Sequence, residues 1–516
     1  MSWRPAIALV VGLAAACFER GPREAPAPVG ASAAVAPTDR GWRTAEPPGT
    51  PAPEATLRVA LEAEPASLDP FASLDGASRR VLSLVVEGLV CLEPGGAVTP
   101  CVAARWEVGD DGRRLRFTLD PRRRFSDGRP VTPADVVASL EASRGRGHAP
   151  GPLAGVLDDA TAIAATPDGA VVVEVAAARP ERLHDLALVP IVPADALGAP
   201  ALATAPIGTG PYAVAAWERG TRVELRRVEG AARAGASERL HFVPVADRAD
   251  ALRRLAAGQL EVALQVPIAE AVAATAAHPG LARLRYREPA MLVAVYNCRR
   301  PALASPASRR ALTATLDRPG LARAVLGGAE LVTGPWLPDD PAYDPTVIAP
   351  AFAPGGGRGG APLTVLVPAG STVSARLADI WAADAAGRFD LTITAVPFAE
   401  LLARLAAGDF DVAITSLSAG PEVDPASRLS SDAPADAAWP GLRDPALDAL
   451  FVARRAAADA ATREALGRQI HRRVAELAPM AFIAVDTRAA VIAADVGGAV
   501  DRGPTPSLWR LWRARR

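Results

Sequence analysis

Two stretches far apart in the chain share one pattern: ALRRLAAGQLEVAL at residues 251–264 and LLARLAAGDFDVAI at residues 401–414. In each, apolar residues at helical spacing are followed by a glycine, Gly258 or Gly408, which can take the left-handed conformation that ends a helix. A short apolar run then predicts a buried strand. The repeated unit predicts two α/β lobes with a ligand crevice between them. The same unit is common in α/β proteins, so this pattern alone leaves other arrangements open.

The composition allows a large buried core and gives little support to a nucleic-acid partner. Hydrophobic residues make up 50% of the 516 residues, and the formal net charge is −1. Nucleic-acid binding requires a clustered basic excess. The short arginine-rich end at residues 510–516 is the one local exception, and we expect it to be a solvated tail.

The first 17 residues have the features of an export signal. Arg4 supplies a positive charge, an apolar stretch runs from Pro5 to Ala16, and Cys17 follows small residues. The stretch is shorter than the about 20 residues that span a bilayer. Its end resembles the lipobox of bacterial lipoproteins, which implies lipidation of Cys17; an ordinary secretory signal or a membrane anchor are the alternatives. Residues 18–55 are rich in Pro and Ala and predict a disordered tether.

Three further cysteines follow Cys17 in the sequence. Cys91 and Cys101 flank the turn-rich segment at residues 93–96, so a disulfide is plausible in an oxidising compartment. Two buried thiols are equally compatible with the sequence. Cys298 would then be unpaired, and we expect it to lie in the core.

Local helix signals are clear in two places. Thr132, Pro133 and Asp135 have the spacing of a capping box and predict that a helix begins there. Apolar residues at helical spacing predict another helix over residues 77–90, closed by Gly88.

Eight short motifs follow one another along the chain: LRVALEAEPASLDP (57–70), EGL (87–89), FSDG (125–128), VTPADV (131–136), IGTGPY (207–212), NCRRP (297–301), RRAL (309–312) and DPALDAL (444–450). In this order they resemble the extracellular solute-binding proteins of the oligopeptide, dipeptide and nickel class of ABC importers. The resemblance implies a two-lobed α/β fold of the periplasmic-binding-protein type, with an extra appended domain and a hinge between the lobes. The implied division is a first lobe of residues 56–87, 206–290 and 485–516, an appended domain of residues 88–205, and a second lobe of residues 291–484.

The resemblance also implies where a ligand would bind. The segment before the SLDP turn and a second-lobe segment at residues 416–424 would line the cleft. The candidate ligand-binding residues are Glu64, Ala66, Ser67, Asn297, Leu417, Ser418, Ala419 and Gly420. Leu417 stands where the family has Trp, and Gly420 stands where peptide binders have an Asp that pairs with the ligand's ammonium group. Glu422 or Asp424 could replace that Asp.

The resemblance predicts a binding protein and not an enzyme. We expect a monomer, lipid-anchored in the periplasm or at the cell surface, that captures a peptide or peptide-like solute for an ABC permease, without cofactor, metal or nucleic acid. The sequence has no Gly-x-Ser-x-Gly or His-Glu-x-x-His motif, and its five His are scattered. Two alternatives stay open: a signalling lipoprotein of the same fold that has lost transport, and a carboxylate-based hydrolase.

Overall fold

The computed structural model describes residues 42–73, 75–93, 97–109, 112–144, 156–179, 182–356, 360–419, 423–434, 436–457, 459–499 and 507–515. The strands in this part of the chain are β1 Leu57–Leu61, β2 Val90–Leu92, β3 Val98–Pro100, β4 Ala103–Val108, β5 Arg114–Leu119, β6 Ala160–Ala165, β7 Val171–Val175, β8 Tyr212–Glu218, β9 Arg222–Arg227, β10 Arg239–Pro244, β11 Val262–Val266, β12 Leu281–Tyr296, β13 Ala361–Pro368, β14 Phe389–Val396, β15 Val412–Ser418, β16 Met480–Ala493, β17 Val496–Gly497 and β18 Trp512–Arg513. The α-helices are α1 Gly76–Leu82, α2 Pro133–Ser143, α3 Arg182–Leu188, α4 Arg248–Ala256, α5 Ile268–Ala277, α6 Pro306–Ala314, α7 Arg318–Ala324, α8 Thr372–Ala385, α9 Phe398–Ala407, α10 Ala426–Leu429, α11 Pro445–Ala456 and α12 Ala460–Leu477.

One ten-stranded mixed sheet runs through the molecule in the order β14-β13-β15-β12-β16-β11-β1-β10-β9-β8. Its two halves meet at β12 and β16, which are 16 and 14 residues long and pair antiparallel. Strands β13, β14 and β15 lie on one side of this pair, and the strands from β11 to β8 lie on the other. This is the expected two-lobed α/β architecture, with strands that cross between the lobes.

Each part of the molecule has its own apolar core. Phe242 and Tyr212 are fully buried in the core of the first lobe, which also includes α1. Phe117 is fully buried in a separate core beneath the antiparallel sheet β4-β5-β7-β6. Trp381 and Phe451 lie in two cores on opposite faces of the second-lobe sheet. Burial of aromatic and aliphatic side chains is the main stabilising contribution in all of them.

Both copies of the helix–glycine–strand unit form as expected. Helix α4 is followed by Gly258 at φ +70° and then by β11, and helix α9 ends at Gly408 at φ +69° and leads into β15. Both glycines are left-handed, so a side chain there would be strained. The capping box of α2 is also confirmed, because Thr132 and Asp135 exchange side-chain to backbone hydrogen bonds.

The helix expected over residues 77–90 is shorter than its apolar spacing indicates. Helix α1 ends at Leu82. The carbonyls of Leu84 and Val85 instead accept hydrogen bonds of 3.0 Å from the backbone N–H groups of Tyr212 and Gly210. A side chain at Gly210 would lie 2.4 Å from the Leu84 carbonyl oxygen, so the pairing requires glycine. Long-range backbone pairing therefore replaces the last turns of the predicted helix.

The expected disordered tether was wrong for residues 42–55, which pack on the first lobe. Trp42 pairs with Arg283 of β12, and the Arg283 guanidinium lies 5.1 Å from the Trp42 ring centre. The Ala52 N–H donates to the Arg513 carbonyl at 2.7 Å, and Ala52 is buried. Specific pairing of backbone groups offsets the weak apolar pattern of this segment. Residues 18–41 and Cys17 lie outside the described residues.

The arginine-rich end is also packed, in contrast to the expected solvated tail. Strand β18 pairs with β17, and Leu511 is buried. Arg513 lies 3.2 Å from Glu261 and 2.7 Å from Asp495, so its charge is neutralised within the first lobe. Among the described helices, none is both long and apolar enough to cross a membrane.

Candidate ligand-binding site

The two lobes meet at an irregularity in the β12–β16 pair. Arg287 pairs with Thr487, and Met291 pairs with Val485, so three residues of β12 stand opposite Asp486 alone. Such a bulge bends the strand and interrupts the ladder of hydrogen bonds. Strand β15 pairs with β12 as far as Ala290, and β11 pairs with β16 as far as Ala489, so both strands end near the bulge, which makes it the candidate position of the interlobe cleft.

The turn that follows β1 contains the candidate residues of the first-lobe wall. The Glu64 carboxylate accepts a hydrogen bond of 3.0 Å from the Gly220 N–H and lies 3.8 Å from Arg219. Ala66 is exposed, and the Ser67 hydroxyl accepts from the Asp69 N–H at 3.0 Å. The turn is thus held by the Ser67 hydrogen bond within it and by the contacts of Glu64 with the β8–β9 turn, and Ala66 is open to solvent.

The end of β15 contains the candidate residues of the second-lobe wall. Leu417 is only 7% exposed and packs in the core, Ser418 is exposed, and the Ala419 N–H donates to the Pro289 carbonyl at 2.8 Å. Of these candidates, Ser418 therefore presents its side chain to solvent, whereas Leu417 does not. Gly420 lies outside the described residues.

Asp424, one of the two acids that could replace the missing Asp, already has partners. One Asp424 oxygen accepts from the Ala426 N–H at 3.0 Å, and the other lies 2.8 Å from the Arg455 guanidinium. Asp424 therefore fixes the turn into α10 and pairs with α11. Glu422, the other acid considered, lies outside the described residues.

The structure places Asn297 away from the β12–β16 bulge and in the interior, in contrast to the expected contact with the ligand. It follows β12 at the end remote from the hinge and is 1% exposed. Its amide donates to the carbonyls of Gly408 and Phe410 at 3.0 and 2.8 Å, and its oxygen accepts from the Arg299 N–H at 3.2 Å. These bonds satisfy the side chain and fix the loop before β15.

Polar residues that sequence reasoning missed lie beside the β12–β16 bulge. Gln265, at the end of β11, has a positive φ of +59°, which is rare for a residue with a side chain. Its backbone N–H donates to the Tyr286 hydroxyl at 2.8 Å, and its side-chain amide donates to the Glu288 carboxylate. The only sequence signal was Glu288-Pro289 at the change from an arginine-rich segment, residues 283–287, to an apolar one, residues 290–296.

The charges around Glu288 are arranged in pairs, and Glu288 is outside them. Arg80 of α1 lies 3.2 Å from Glu62, and Arg488 of β16 lies 2.9 Å from Asp486. Burial raises the pKa of Glu288, and the negative charge of Asp486 adds to that change, while the Gln265 amide and the Arg80 and Arg488 guanidiniums oppose it. Burial is the largest of these causes, so the carboxylate lies in a poorly solvated position.

The comparison with protein families decides the identity of this fold. The family model of bacterial extracellular solute-binding proteins, family 5 Middle, matches residues 97–438, which is more than half of the chain. The chain belongs to this family.

Curated relatives of this family 5 protein match over part of their length. The probable deoxycholate-binding periplasmic protein YgiS of Escherichia coli is 36% identical over 92 residues, 18% of this chain and 17% of that protein. Protein XP55 of Streptomyces lividans is 28% identical over 324 residues, 60% of this chain and 57% of that protein. The family 5 protein therefore aligns with less than two thirds of either relative.

Solved structures extend the likeness over almost the whole chain. The substrate-binding protein CtaP of Listeria monocytogenes superposes with a TM-score of 0.77 at 18% identity, covering 90% of this chain and 100% of that one. The binding protein DppA of Helicobacter pylori, in complex with the peptide STSA, superposes with a TM-score of 0.73 at 16% identity, covering 89% and 98%. At this level of identity the two structures establish the fold.

The structure joins Cys91 and Cys101 of the family 5 protein in a disulfide, with their Cα atoms 5.4 Å apart. Glu87 lies close to both sulfurs, in the one group of possible metal ligands found among the described residues. The group does not suit a metal, because the sulfurs are bonded to each other and Glu87 pairs with Arg123 at 3.2 Å. Cys298 is a free, partly buried thiol whose pKa is raised by burial, as expected for a core residue.

A separate cavity of about 550 Å³ lies within the second lobe, lined by residues of α6, α12, the start of β16 and the loop at residues 346–350. It includes Arg310, Arg318 and Arg472. Arg318 donates to the carbonyls of Val332 and Phe482, and Arg472 pairs with Asp344, which is outside the lining. The cavity is remote from the β12–β16 bulge and receives no residue of the first lobe.

Proposed function

We propose that this protein captures a small solute, a peptide or a peptide-like molecule, in the cleft between its lobes and delivers it to an ABC permease. The observation that carries the proposal is the bulge between β12 and β16, placed where the walls of the cleft meet, in a chain of the solute-binding family. Solute-binding proteins of this architecture close by a hinge around the ligand. A bulged strand pair is a local element that can absorb such a rotation.

The proposal includes a division of the chain into functional parts. Residues 56–87, 206–290 and 485–516 form the first lobe, joined by the packed segment 42–55; residues 88–205 form the appended domain, and residues 291–484 form the second lobe. The separate apolar cores support this division, because each lies almost entirely within one of these ranges. The lobes would move as rigid bodies, with ligand contacts at Ala66, Ser67, Ser418 and Ala419.

The proposal places the protein outside the cytoplasm, as a monomer attached by a lipid at Cys17. The sequence of residues 1–17 supports the anchor, and the Cys91–Cys101 disulfide is consistent with an oxidising compartment. Radiolabelled palmitate incorporation into the wild-type chain, and its loss in Cys17→Ser, would establish the lipid. Incorporation that persists in Cys17→Ser would refute this part of the proposal.

We also propose that binding occurs without turnover. The family is one of binding proteins. Of the three acids that the structure describes at the bulge, Glu62 and Asp486 are each paired with an arginine, so Glu288 has no second unpaired carboxylate beside it of the kind that a two-carboxylate hydrolase uses. A hydrolase would need acids able to exchange protons with the substrate. Mass spectrometry of a bound solute after prolonged incubation should recover it unchanged.

The experiment that tests binding is a thermal-shift screen of the full-length chain in detergent, after removal of carried-over ligand by partial unfolding and refolding. Di- and oligopeptides, nickel chelates, sugars and amino acids form the panel. A solute at 100 times its dissociation constant should add about 2.7 kcal/mol to the free energy of unfolding. Absence of any shift from protein shown to be folded would instead favour the signalling lipoprotein.

A further inference from the structure

We propose that Glu288 is a specificity-determining residue that binds a cationic group of the ligand, such as an ammonium or a guanidinium, at the floor of the cleft. The inference rests on the proposed solute-binding function and adds the charge of the ligand to it. It also supplies the acid that is missing at Gly420, from a different part of the chain.

The location of Glu288 places its carboxylate between the two walls. Glu288 is the first residue of the β12 bulge opposite Asp486. The next residue, Pro289, accepts the hydrogen bond from Ala419 in the second-lobe wall, and Gln265 in the first lobe donates to the Glu288 carboxylate. Closure of the lobes would enclose a ligand directly over this carboxylate.

The bonding of Glu288 leaves acceptor capacity unused. Within the described residues, its only side-chain hydrogen bond comes from the Gln265 amide, and no arginine lies within ion-pair distance of it. An ionised carboxylate can accept about four hydrogen bonds, so the second oxygen is available to a ligand donor. Glu288 is partly and not fully exposed, so a charge bound there would be poorly screened by water.

The guanidiniums near Glu288 are each shared with another carboxylate. Arg80 and Arg488 attract Glu288 but are paired at shorter range with Glu62 and Asp486. Arg79 of α1 also interacts electrostatically with Glu288, and its interaction with Asp75 is the larger one. The carboxylates of this network therefore outnumber the guanidiniums by one. A ligand cation beside Glu288 would balance the network and would lower the raised pKa of this carboxyl group.

The backbone geometry of Gln265 gives independent support. A left-handed conformation at a residue with a side chain is strained, and such strain is concentrated at functional sites. Here the strained residue directs its amide to one Glu288 oxygen and its N–H to the Tyr286 hydroxyl. The carboxylate is thereby oriented before a ligand arrives, which reduces the entropy lost on binding.

The test compares cationic probes with neutral analogues of the same shape, by calorimetry on the full-length chain. Trialanine is paired with N-acetyl-trialanine, and choline is paired with 3,3-dimethyl-1-butanol. We expect the wild type to bind at least one cationic probe about tenfold tighter than its neutral partner, and Glu288→Gln to abolish that preference. Glu330→Gln is the matched control, because Glu330 is an exposed acid near the hinge that already pairs with Arg287 at 2.9 Å.

The outcomes separate this inference from the proposed function. Binding of neutral and cationic probes with equal affinity would refute the role of Glu288 and leave the binding function standing. A charge preference that survives in Glu288→Gln, or that is lost equally in Glu330→Gln, would also refute it. If neither this set nor the full solute panel binds to folded wild-type protein, the proposed function fails together with the inference. Gln265→Ala should weaken binding of the cationic probe and still leave it tighter than binding of the neutral analogue. This result would show that the variant is folded and that only the orientation of the Glu288 carboxylate has been lost.

Discussion

Replacing Asn297 by alanine should destabilise the second lobe without changing ligand affinity. The side chain is fully buried and holds the loop before β15 through the carbonyls of Gly408 and Phe410 and the N–H of Arg299. The Phe410 carbonyl retains a second donor, the Arg300 guanidinium at 3.0 Å, whereas the Gly408 carbonyl loses the Asn297 amide. At about 1 kcal/mol for each bond, with an added cost for an unsatisfied carbonyl, Asn297→Ala should lower the free energy of unfolding by about 2 to 4 kcal/mol.

Urea unfolding combined with hydrogen exchange is the appropriate assay for Asn297→Ala. A chain with several cores need not unfold in one step, so a single midpoint would be ambiguous. Hydrogen exchange of the amides at residues 408–411 reports the loop directly, and Ser418→Ala serves as an exposed control at the other end of β15. Unchanged exchange in Asn297→Ala, together with weakened solute binding, would show that Asn297 contacts the ligand and that the structural argument is wrong.

Three further predictions concern the disulfide, the cleft acid and a buried histidine. Because the disulfide closes a short loop, reduction of Cys91–Cys101 should destabilise the appended domain by about 3 kcal/mol, measured as an earlier unfolding transition in dithiothreitol. Glu288→Gln should stabilise the unliganded protein at pH 7. The pKa of Glu288 is raised in the folded state, so ionisation of this acid opposes folding above its unfolded pKa. The difference in free energy of unfolding between variant and wild type should therefore shrink as the pH falls towards the unfolded pKa. Burial lowers the pKa of His471 to about 4, so the folded protein holds this histidine neutral. Its contribution to the free energy of unfolding should be complete above the unfolded pKa near 6.5. Urea titrations should show that contribution declining between about pH 6.5 and pH 4, by at most about 3 kcal/mol.

Each of these predictions has a result that would contradict it. An unfolding transition of the appended domain that is insensitive to reductant would contradict the disulfide prediction. Equal stability of Glu288→Gln and wild type across pH 4 to 7 would mean that the carboxylate is already compensated. His471 accepts a hydrogen bond of 3.0 Å from the Asp344 N–H, and protonation would remove this acceptor. His471→Gln should therefore reduce the fall of the free energy of unfolding below pH 6.5. An unchanged fall in the variant would mean that other groups cause it.

Features that depend on neighbouring residues could be predicted from the sequence. The capping box at Thr132 and the left-handed glycines after α4 and α9 are set by interactions within a few residues, so their residue types are sufficient evidence. The two-lobed fold followed from the order of the motifs along the chain. Ala66, Ser67 and Ser418 were named as candidates through the same resemblance to the family.

Features that depend on distant pairing could not be predicted. The end of α1 is set by hydrogen bonds from Gly210 and Tyr212, more than a hundred residues away. The helical spacing of apolar residues near α1 does not indicate these bonds. Glu288 lies in the cleft because β12 slips against β16, and the slip is a property of the pair and not of either strand. Asn297 was assigned from its motif alone, whereas its role depends on which carbonyls the fold places around it.

The pairing of Arg287 with Thr487 means that the second lobe is an insertion into the first. The chain leaves the first lobe on β12 and returns on β16 at the adjacent position, while both ends of the described chain are joined there through Trp42 and Arg513. A short turn between residues 287 and 487 could therefore close the first lobe as an ordinary hairpin. The second-lobe part of the proposed ligand-binding surface could therefore be exchanged as one unit, by recombination at two points that are neighbours in the fold, without changing the first-lobe part.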